Sequence, residues 1–172
     1  LEKVGTLKNV LKILSKNKLD VSRVFYEIPT DSSTNTINEI VEVFNKTNAD
    51  SIIALGGGSV IDTAKGVRLV LSQQTNNILN LEGNETLPKG KHIPFVVIPT
   101  TCGTGSECTS VAVIKNFDTH IKMEYISPAL LPDVAVLDPE VISTLPPKLI
   151  ATTTLDALTH AIEAYTSLQR NP

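Results

Sequence analysis

The feature that most constrains the fold is a short apolar run that ends in three consecutive glycines. Residues 51–55 form the run, residues 56–58 are the glycines, and a helical pattern of apolar residues begins at Ser59. A run of this length bounded by glycine is typical of a buried strand. Ser59 is a good residue to cap the helix that follows. A strand, a glycine turn and a helix in this order indicate an α/β fold.

The remaining apolar patterns continue the alternation of strands and helices. Apolar residues at helical spacing predict helices over residues 5–17, from Ser32 or Ser33 through Phe44, and over 147–167. Strands are predicted at 24–26, 94–98, 109–115, 122–127 and 134–137. The strands at 109–115 and 122–127 are expected to pair around a turn. The others are apolar throughout, which favours a parallel sheet covered by helices on both faces.

Composition and charge exclude several classes of protein. Of the 172 residues 41% are apolar and 19% are charged, which is enough to build a buried core. The net charge of −3 argues against nucleic acid or an anionic membrane as the main partner. No apolar run approaches the roughly 20 residues that a membrane span needs. The two cysteines cannot form a disulfide framework, so a reducing, cytoplasmic setting is expected.

Both ends of the chain predict a fragment of a longer protein. The sequence begins at Leu1 rather than at methionine, and it ends at Pro172 just after a helical pattern. The alternation of strands and helices stops near residue 146. We therefore expect an α/β domain over residues 1–146 and the beginning of a helical domain over residues 147–172.

Two loops that follow buried strands have the composition of a phosphate site. Residues 56–59 offer glycines, which permit close approach of the backbone, and a helix N-terminus, whose N–H groups attract anions. Residues 99–107 follow the strand at 94–98 and are rich in hydroxyl groups and glycine. In a parallel sheet both loops lie at the carboxyl ends of strands, where ligands bind. A tight strand-to-helix turn that binds nothing explains residues 56–59 alone equally well, and the second loop favours the nucleotide-phosphate interpretation.

A carboxylate and an imidazole lie one helical turn apart near the end of the chain. Asp156 and His160 are at positions i and i+4 of the predicted helix and therefore share a face. Two side chains held this way can both bind one divalent metal. A hydrogen bond on the helix surface explains the same pair, and a pair supplies only part of a metal's ligands.

Four motifs in order resemble those of the iron-containing alcohol dehydrogenases. Residues 56–65 resemble the first cofactor loop of that family and residues 99–107 resemble the second. Residues 131–139 resemble the segment under the adenine, and residues 156–165 resemble the metal-ligand helix. The resemblance implies a fold of the dehydroquinate synthase type. In that fold a Rossmann-like parallel sheet domain precedes an all-helical domain.

The resemblance also implies roles for individual residues. It assigns cofactor binding to Gly57, Gly58, Ser59, Asp62, Thr100, Thr101, Ser106 and Leu131, and metal binding to Asp156 and His160. It assigns no residue of this chain a catalytic role. By the same resemblance, the remaining two metal ligands are expected to be histidines beyond this sequence, and a first strand that contacts the adenosine ribose is expected before Leu1. The 172 residues alone are therefore expected to be inactive.

The activity implied is reversible hydride transfer between a small alcohol or aldehyde and NAD or NADP. The implied metal is Fe²⁺, with Zn²⁺ as the alternative, and the implied assembly is a dimer or larger homo-oligomer. Two other interpretations remain open. One is a metal-independent relative such as the maleylacetate reductases, against which Asp156 and His160 count. The other is a nucleotide-binding module that catalyses no reaction.

Overall fold

The computed structural model describes residues 5–83, 86–143 and 145–168 of the chain. The helices are α1 (Thr6–Lys16), α2 (Thr34–Lys46), α3 (Gly58–Ser72), α4 (Pro139–Ile142) and α5 (Pro147–Thr166). The strands are β1 (Ile52–Gly56), β2 (Phe95–Pro99), β3 (Val111–Asn116), β4 (Ile121–Ile126) and β5 (Val134–Ala135). Three 3₁₀ turns cover Ile78–Leu81, Ser106–Cys108 and Pro128–Leu130. None of the helices described here is both long and apolar enough to cross a membrane.

The strands form the parallel sheet and the hairpin that the sequence predicts. β1, β2 and β5 make a parallel sheet in the order β1-β2-β5, with Ile52 opposite Phe95 and Val96 opposite Val134. β3 and β4 pair in antiparallel register as a separate hairpin. The α/β fold class is therefore confirmed.

Helix α3 covers one face of the parallel sheet. Its Ile61 is fully buried and packs in one cluster with Ala54, Phe95 and Val97 of the strands. The opposite face carries Ile53, which is 44% exposed. Among the described elements α2 packs mainly on α3 and β3, and α1 lines a cleft that Ile53 also lines, so covering of the second face by helices stays a prediction.

The larger core lies between α2, α3 and the hairpin. It contains the buried side chains of Ile37, Val41, Val67, Val70, Ile114 and Tyr125, among others. Gly66 allows the two helices to approach each other. A Cβ atom at this position would lie 2.5 Å from the Ile37 Cδ1 atom and 3.0 Å from that of Ile114.

The predicted strand at residues 24–26 does not form. Residues 19–29 have no regular secondary structure. An apolar cleft of about 1040 Å³ is lined by this segment, by α1 and by β1. A strand is stable only when its N–H and C=O groups bond to a neighbour. Because the cleft lies between this segment and β1, the segment lacks the partner that would make it a strand.

Two predicted helix caps also differ from the structure. Gly57, not Ser59, is the N-cap of α3, with an extended backbone at φ −85° and ψ −171°. Ser33 takes the N-cap position of α2, but its side chain makes no capping hydrogen bond. The backbone conformation, and not a side-chain hydrogen bond, defines the N-cap of each helix. The preference of serine for N-cap positions therefore predicted these helix starts only weakly.

Candidate cofactor and metal site

The two loops predicted to bind phosphate meet at the carboxyl ends of β1 and β2. The Thr100 amide donates to the carbonyl oxygen of Gly56 at 2.9 Å, which extends the ladder between the two strands by one bond. Thr100 is only 5% exposed, so it joins the loops from inside. The glycines that follow Gly56 and the hydroxyl groups that follow Thr100 therefore line one shared edge of the sheet.

Each of two glycines in the first loop faces a threonine of the second. A Cβ atom on Gly57 would lie 3.0 Å from the Thr101 Cγ2 atom, and a Cβ atom on Gly58 would lie 3.0 Å from the Thr104 Cγ2 atom. The hydroxyl oxygen of Thr101 is buried and has no hydrogen-bond partner within the described structure. Among the residues that the structure describes, no side chain caps the first turn of α3. The result is a narrow cradle lined with backbone N–H groups and an unpaired hydroxyl.

Ser59 supports the first loop from behind. Its hydroxyl donates to the carbonyl oxygen of Thr30, and its own carbonyl oxygen accepts from the Ser32 hydroxyl at 2.9 Å. The side chain thus ties the segment before α2 to the start of α3. The Ser59 hydroxyl is therefore used within the protein, and its backbone N–H, in the first turn of the helix, is the group that can face an anion.

Asp62 and Ser106 are brought into direct contact. The Ser106 hydroxyl donates to Asp62 Oδ1 at 2.7 Å, and the Val113 amide donates to Asp62 Oδ2 at 3.1 Å. Both carboxylate oxygens of Asp62 therefore accept hydrogen bonds from the second loop and from β3. The pair holds the second loop against α3.

Leu131 lies apart from the other predicted cofactor residues. Its carbonyl oxygen accepts from Arg68 Nη1 at 2.6 Å, and the nearby Asp133 amide donates to the carbonyl oxygen of Phe95, where β2 begins. Leu131 is thus at the amino end of the sheet, and the glycine loops are at the carboxyl end.

Two residues near the loops were given no individual role by reasoning from the sequence, although both lie in segments that it singled out. Leu137 follows β5 at the carboxyl edge of the sheet and is 69% exposed. The apolar run at residues 134–137 was the sequence signal for this position. Lys65 is fully buried on α3, and its Nζ atom donates to the segment that leads from the second loop into β3. Burial lowers the pKa of Lys65 to about 8. A lysine among the apolar residues of a helix was the available signal.

Asp156 and His160 lie side by side on α5, as their spacing predicts. The Nε2 atom of His160 is 3.8 Å from Oδ1 of Asp156, and both side chains are about half exposed. No group of three or more histidine, cysteine, aspartate or glutamate side chains comes together in a metal-binding arrangement among the described residues. The pair thus offers two donors of suitable chemistry and not a complete ligand set.

Helix α5 is anchored to the second loop one turn before this pair. A Cβ atom on Gly103 would lie 1.9 Å from the carbonyl oxygen of Thr153, and φ at Gly103 is +141°. The Cys102 sulfur lies 3.7 Å from the Thr153 hydroxyl oxygen. Only glycine permits this approach, which places the Asp156 and His160 helix against the loop that carries Thr101 and Thr104.

The family is decided by comparison with known proteins. A sequence model described as iron-containing alcohol dehydrogenase matches residues 1–139. The chain belongs to the iron-containing alcohol dehydrogenase family. The family and the dehydroquinate synthase-like fold predicted from the four motifs are therefore confirmed.

Alcohol dehydrogenases of known sequence or structure match nearly all of this chain. Alcohol dehydrogenase 4 of Schizosaccharomyces pombe is 38% identical over 170 residues, which are 99% of this chain and 40% of that protein. The NAD-dependent methanol dehydrogenase of Bacillus methanolicus is 38% identical over 172 residues, all of this chain and 44% of that protein. Among solved structures, the alcohol dehydrogenase from Oenococcus oeni superposes with a TM-score of 0.91 at 37% identity, covering 99% of this chain and 44% of that one. The chain thus spans less than half the length of these relatives.

Proposed function

We propose that the whole protein is a metal-dependent alcohol dehydrogenase that transfers a hydride reversibly between a small alcohol or aldehyde and NAD or NADP. The chain described here supplies the cofactor loops and two metal ligands. The observation that carries this proposal is the cradle in which Gly57 and Gly58 face Thr101 and Thr104 across the ends of β1 and β2.

The cradle fits the pyrophosphate of a dinucleotide. Gly57 and Gly58 carry no side chains of their own that would block the phosphates, and the first turn of α3 offers its N–H groups. The buried Thr101 hydroxyl, which lacks a partner among the described residues, is a donor for a phosphate oxygen. Asp62, Thr100 and Ser106 act from behind by holding the two loops together. When bound, the nicotinamide supplies the hydride chemistry.

Asp156 and His160 fit as two ligands of a divalent metal, Fe²⁺ by family and Zn²⁺ as the alternative. A carboxylate oxygen and an imidazole nitrogen suit both ions. Two ligands on one rigid helix are held in place before the metal arrives. The metal supplies Lewis-acid stabilisation of a substrate oxygen. The anchor between Gly103 and Thr153 keeps this pair beside the cofactor loop.

The division into domains belongs to the same proposal. Residues 1–146 form the cofactor domain, and residues 147–172 begin the helical metal-binding domain. None of the described residues of α5 is buried, which suits a helix that packs against further chain. The cleft lined by α1, by the segment after it and by β1 suits one further strand, paired with the edge of β1 that has no neighbour among the described strands. We extend the proposal to a dimer or larger assembly in the cytoplasm.

A titration of the full-length protein with NADH, followed by nicotinamide fluorescence, tests the cofactor half. The 172 residues contain no tryptophan and therefore add no tryptophan emission to the nicotinamide signal. We expect saturable binding. No binding by folded protein would refute the cofactor assignment.

Turnover of alcohols with and without metal tests the other half. Removing the metal with a chelator should abolish turnover and leave NADH binding intact. Turnover that survives complete metal removal would support the metal-independent reductase instead. Cofactor binding without any turnover would support a binding module.

A further inference from the structure

Lys65 is the most deeply buried cation in the described structure that is not used by the cofactor site. It has no exposed surface. Its Nζ atom donates to the Thr109 carbonyl at 2.9 Å, to the Thr109 hydroxyl at 2.9 Å and to the Val111 carbonyl at 2.7 Å. An ammonium group has three N–H donors, so all of them are satisfied. The side chain cannot reach solvent or a ligand, and its action must pass through Thr109 and Val111.

Asp62 lies one turn before Lys65 and bonds to the same stretch of chain. It accepts from Ser106 and Val113, whereas Lys65 donates to Thr109 and Val111. Residues three apart share a helix face. One acidic and one basic side chain therefore hold residues 106–113 to α3 at four residues. The two residues that donate to Asp62, Ser106 and Val113, flank the two that accept from Lys65, Thr109 and Val111.

This segment continues directly from the loop that forms half of the cradle. Thr104 faces Gly58 only two residues before Ser106. Freeing residues 106–113 from α3 would release the C-terminal end of the loop, while its N-terminal end would stay bonded through Thr100 and Gly56. The close approach of Thr104 to Gly58 therefore depends on bonds made away from the cradle.

We infer that Lys65, together with Asp62, is a positioning residue that sets the cofactor affinity without touching the cofactor. This inference rests on the proposed function, because the loop it positions is the proposed phosphate cradle. Lys65 keeps the second loop at the distance from α3 at which Gly58 and Thr104 can both face a phosphate. Because the loop is already ordered by folding, cofactor binding loses no further conformational entropy in ordering it.

Arg68 provides a matched control on the same helix. It is 2% exposed and donates to the carbonyl oxygens of Ile93 and Leu131 and to the carboxylate of Asp133. Like Lys65, it is a buried cation that ties α3 to neighbouring chain. Its partners, however, lie at the amino end of the sheet. Loss of either side chain removes buried bonds, but only loss of Lys65 should loosen the cradle.

The experiment compares Lys65→Met, Thr109→Val and Arg68→Met in the full-length protein. For each variant the dissociation constant for NADH, the KM for the cofactor, kcat at saturating cofactor and amide hydrogen exchange over residues 100–113 are measured. We expect Lys65→Met to weaken NADH binding about tenfold, to raise KM with kcat nearly unchanged, and to speed exchange at residues 106–113. Thr109→Val should move the same quantities in the same direction by less.

Arg68→Met should lower the thermal midpoint and leave the NADH affinity within about twofold of the original. An equal loss of affinity in Arg68→Met and Lys65→Met would show a general stability effect and overturn the inference. Weak NADH binding in Lys65→Met with unchanged exchange at 106–113 and no effect of Thr109→Val would also overturn it, since Lys65 would then act on the cofactor directly. If the unmodified protein fails to bind NADH, the proposed function fails, while hydrogen exchange still reports whether Lys65 holds the segment.

Discussion

Substitution of one glycine in the cradle by alanine should separate cofactor binding from folding. The Cβ atom of Gly58→Ala would lie 3.0 Å from Thr104 Cγ2 and 3.4 Å from Thr104 Cβ, on the side where the first turn of α3 meets the second loop. A shift of a few tenths of an ångström relieves this contact. Alanine in a helix is worth about 1 kcal/mol more than glycine. The cost of the contact with Thr104 and the gain in helix propensity are of similar size, so the free energy of unfolding should change little.

Cofactor affinity, in contrast, should fall strongly. The added methyl group pushes against the Thr104 side chain and displaces the second loop from the first turn of α3, whose N–H groups would bind the phosphate. Losing one hydrogen bond to a charged group costs about 1.5–3 kcal/mol. The dissociation constant for NADH should therefore rise roughly ten- to a hundredfold. Nicotinamide fluorescence titration of the full-length protein measures this value, and a thermal melt measures stability in the same sample.

Gly66→Ala is the matched control, two turns further along α3. Its Cβ atom would lie 2.5 Å from Ile37 Cδ1, inside the core and away from the cradle. Overpacking of this kind costs about 1–3 kcal/mol, so the thermal midpoint should fall while the NADH affinity stays. Normal affinity in Gly58→Ala would refute the placement of the pyrophosphate. Equal loss of affinity in both variants would show that the effect comes from folding.

Three further predictions concern other parts of the chain. His160→Ala should lower the bound metal measured by mass spectrometry and abolish turnover while the NADH affinity stays normal; full metal content would disprove the assignment. Lys65 titrates near pH 8 when folded and at 10.5 in its ordinary state, so the unfolded chain binds more protons between these values. Stability measured by urea unfolding should rise across that window by about 3 kcal/mol, and the rise should disappear in Lys65→Met. Gly103→Ala, whose Cβ atom would meet the Thr153 carbonyl at 1.9 Å, should destabilise the protein by about 3 kcal/mol or more; an unchanged melting curve would contradict this contact.

The strongest local patterns predicted the main elements correctly. Helices α1, α2, α3 and α5, the strands β1 and β2, and the β3–β4 hairpin all lie within a few residues of their predicted positions. Each has a clear apolar period or a clear glycine boundary, which are signals carried by neighbours in sequence. The short helix α4 was missed, since four residues are too few to show a period.

The failures share one cause, which is dependence on a partner distant in sequence. Residues 24–26 have the composition of a strand but lack a bonded neighbour in the described structure. Arg68 and the start of β2 place Leu131 at the amino end of the sheet, which no local pattern predicts, and its role in cofactor binding stays a prediction. The carboxylate of Asp62 accepts bonds from Ser106 and Val113, which no spacing in the sequence predicts.

By itself, the sequence determined the positions of the longer helices and strands, the family, the glycine loop and the spacing of Asp156 and His160 on one helix face. These properties depend on residues close together in the chain. Only the tertiary structure decided that Thr101 and Thr104 face Gly57 and Gly58, and that Gly103 packs the second loop against α5. Such contacts join residues about fifty positions apart. They exist only after parallel pairing has brought the carboxyl ends of β1 and β2 to one edge, because the pairing sets which loops meet.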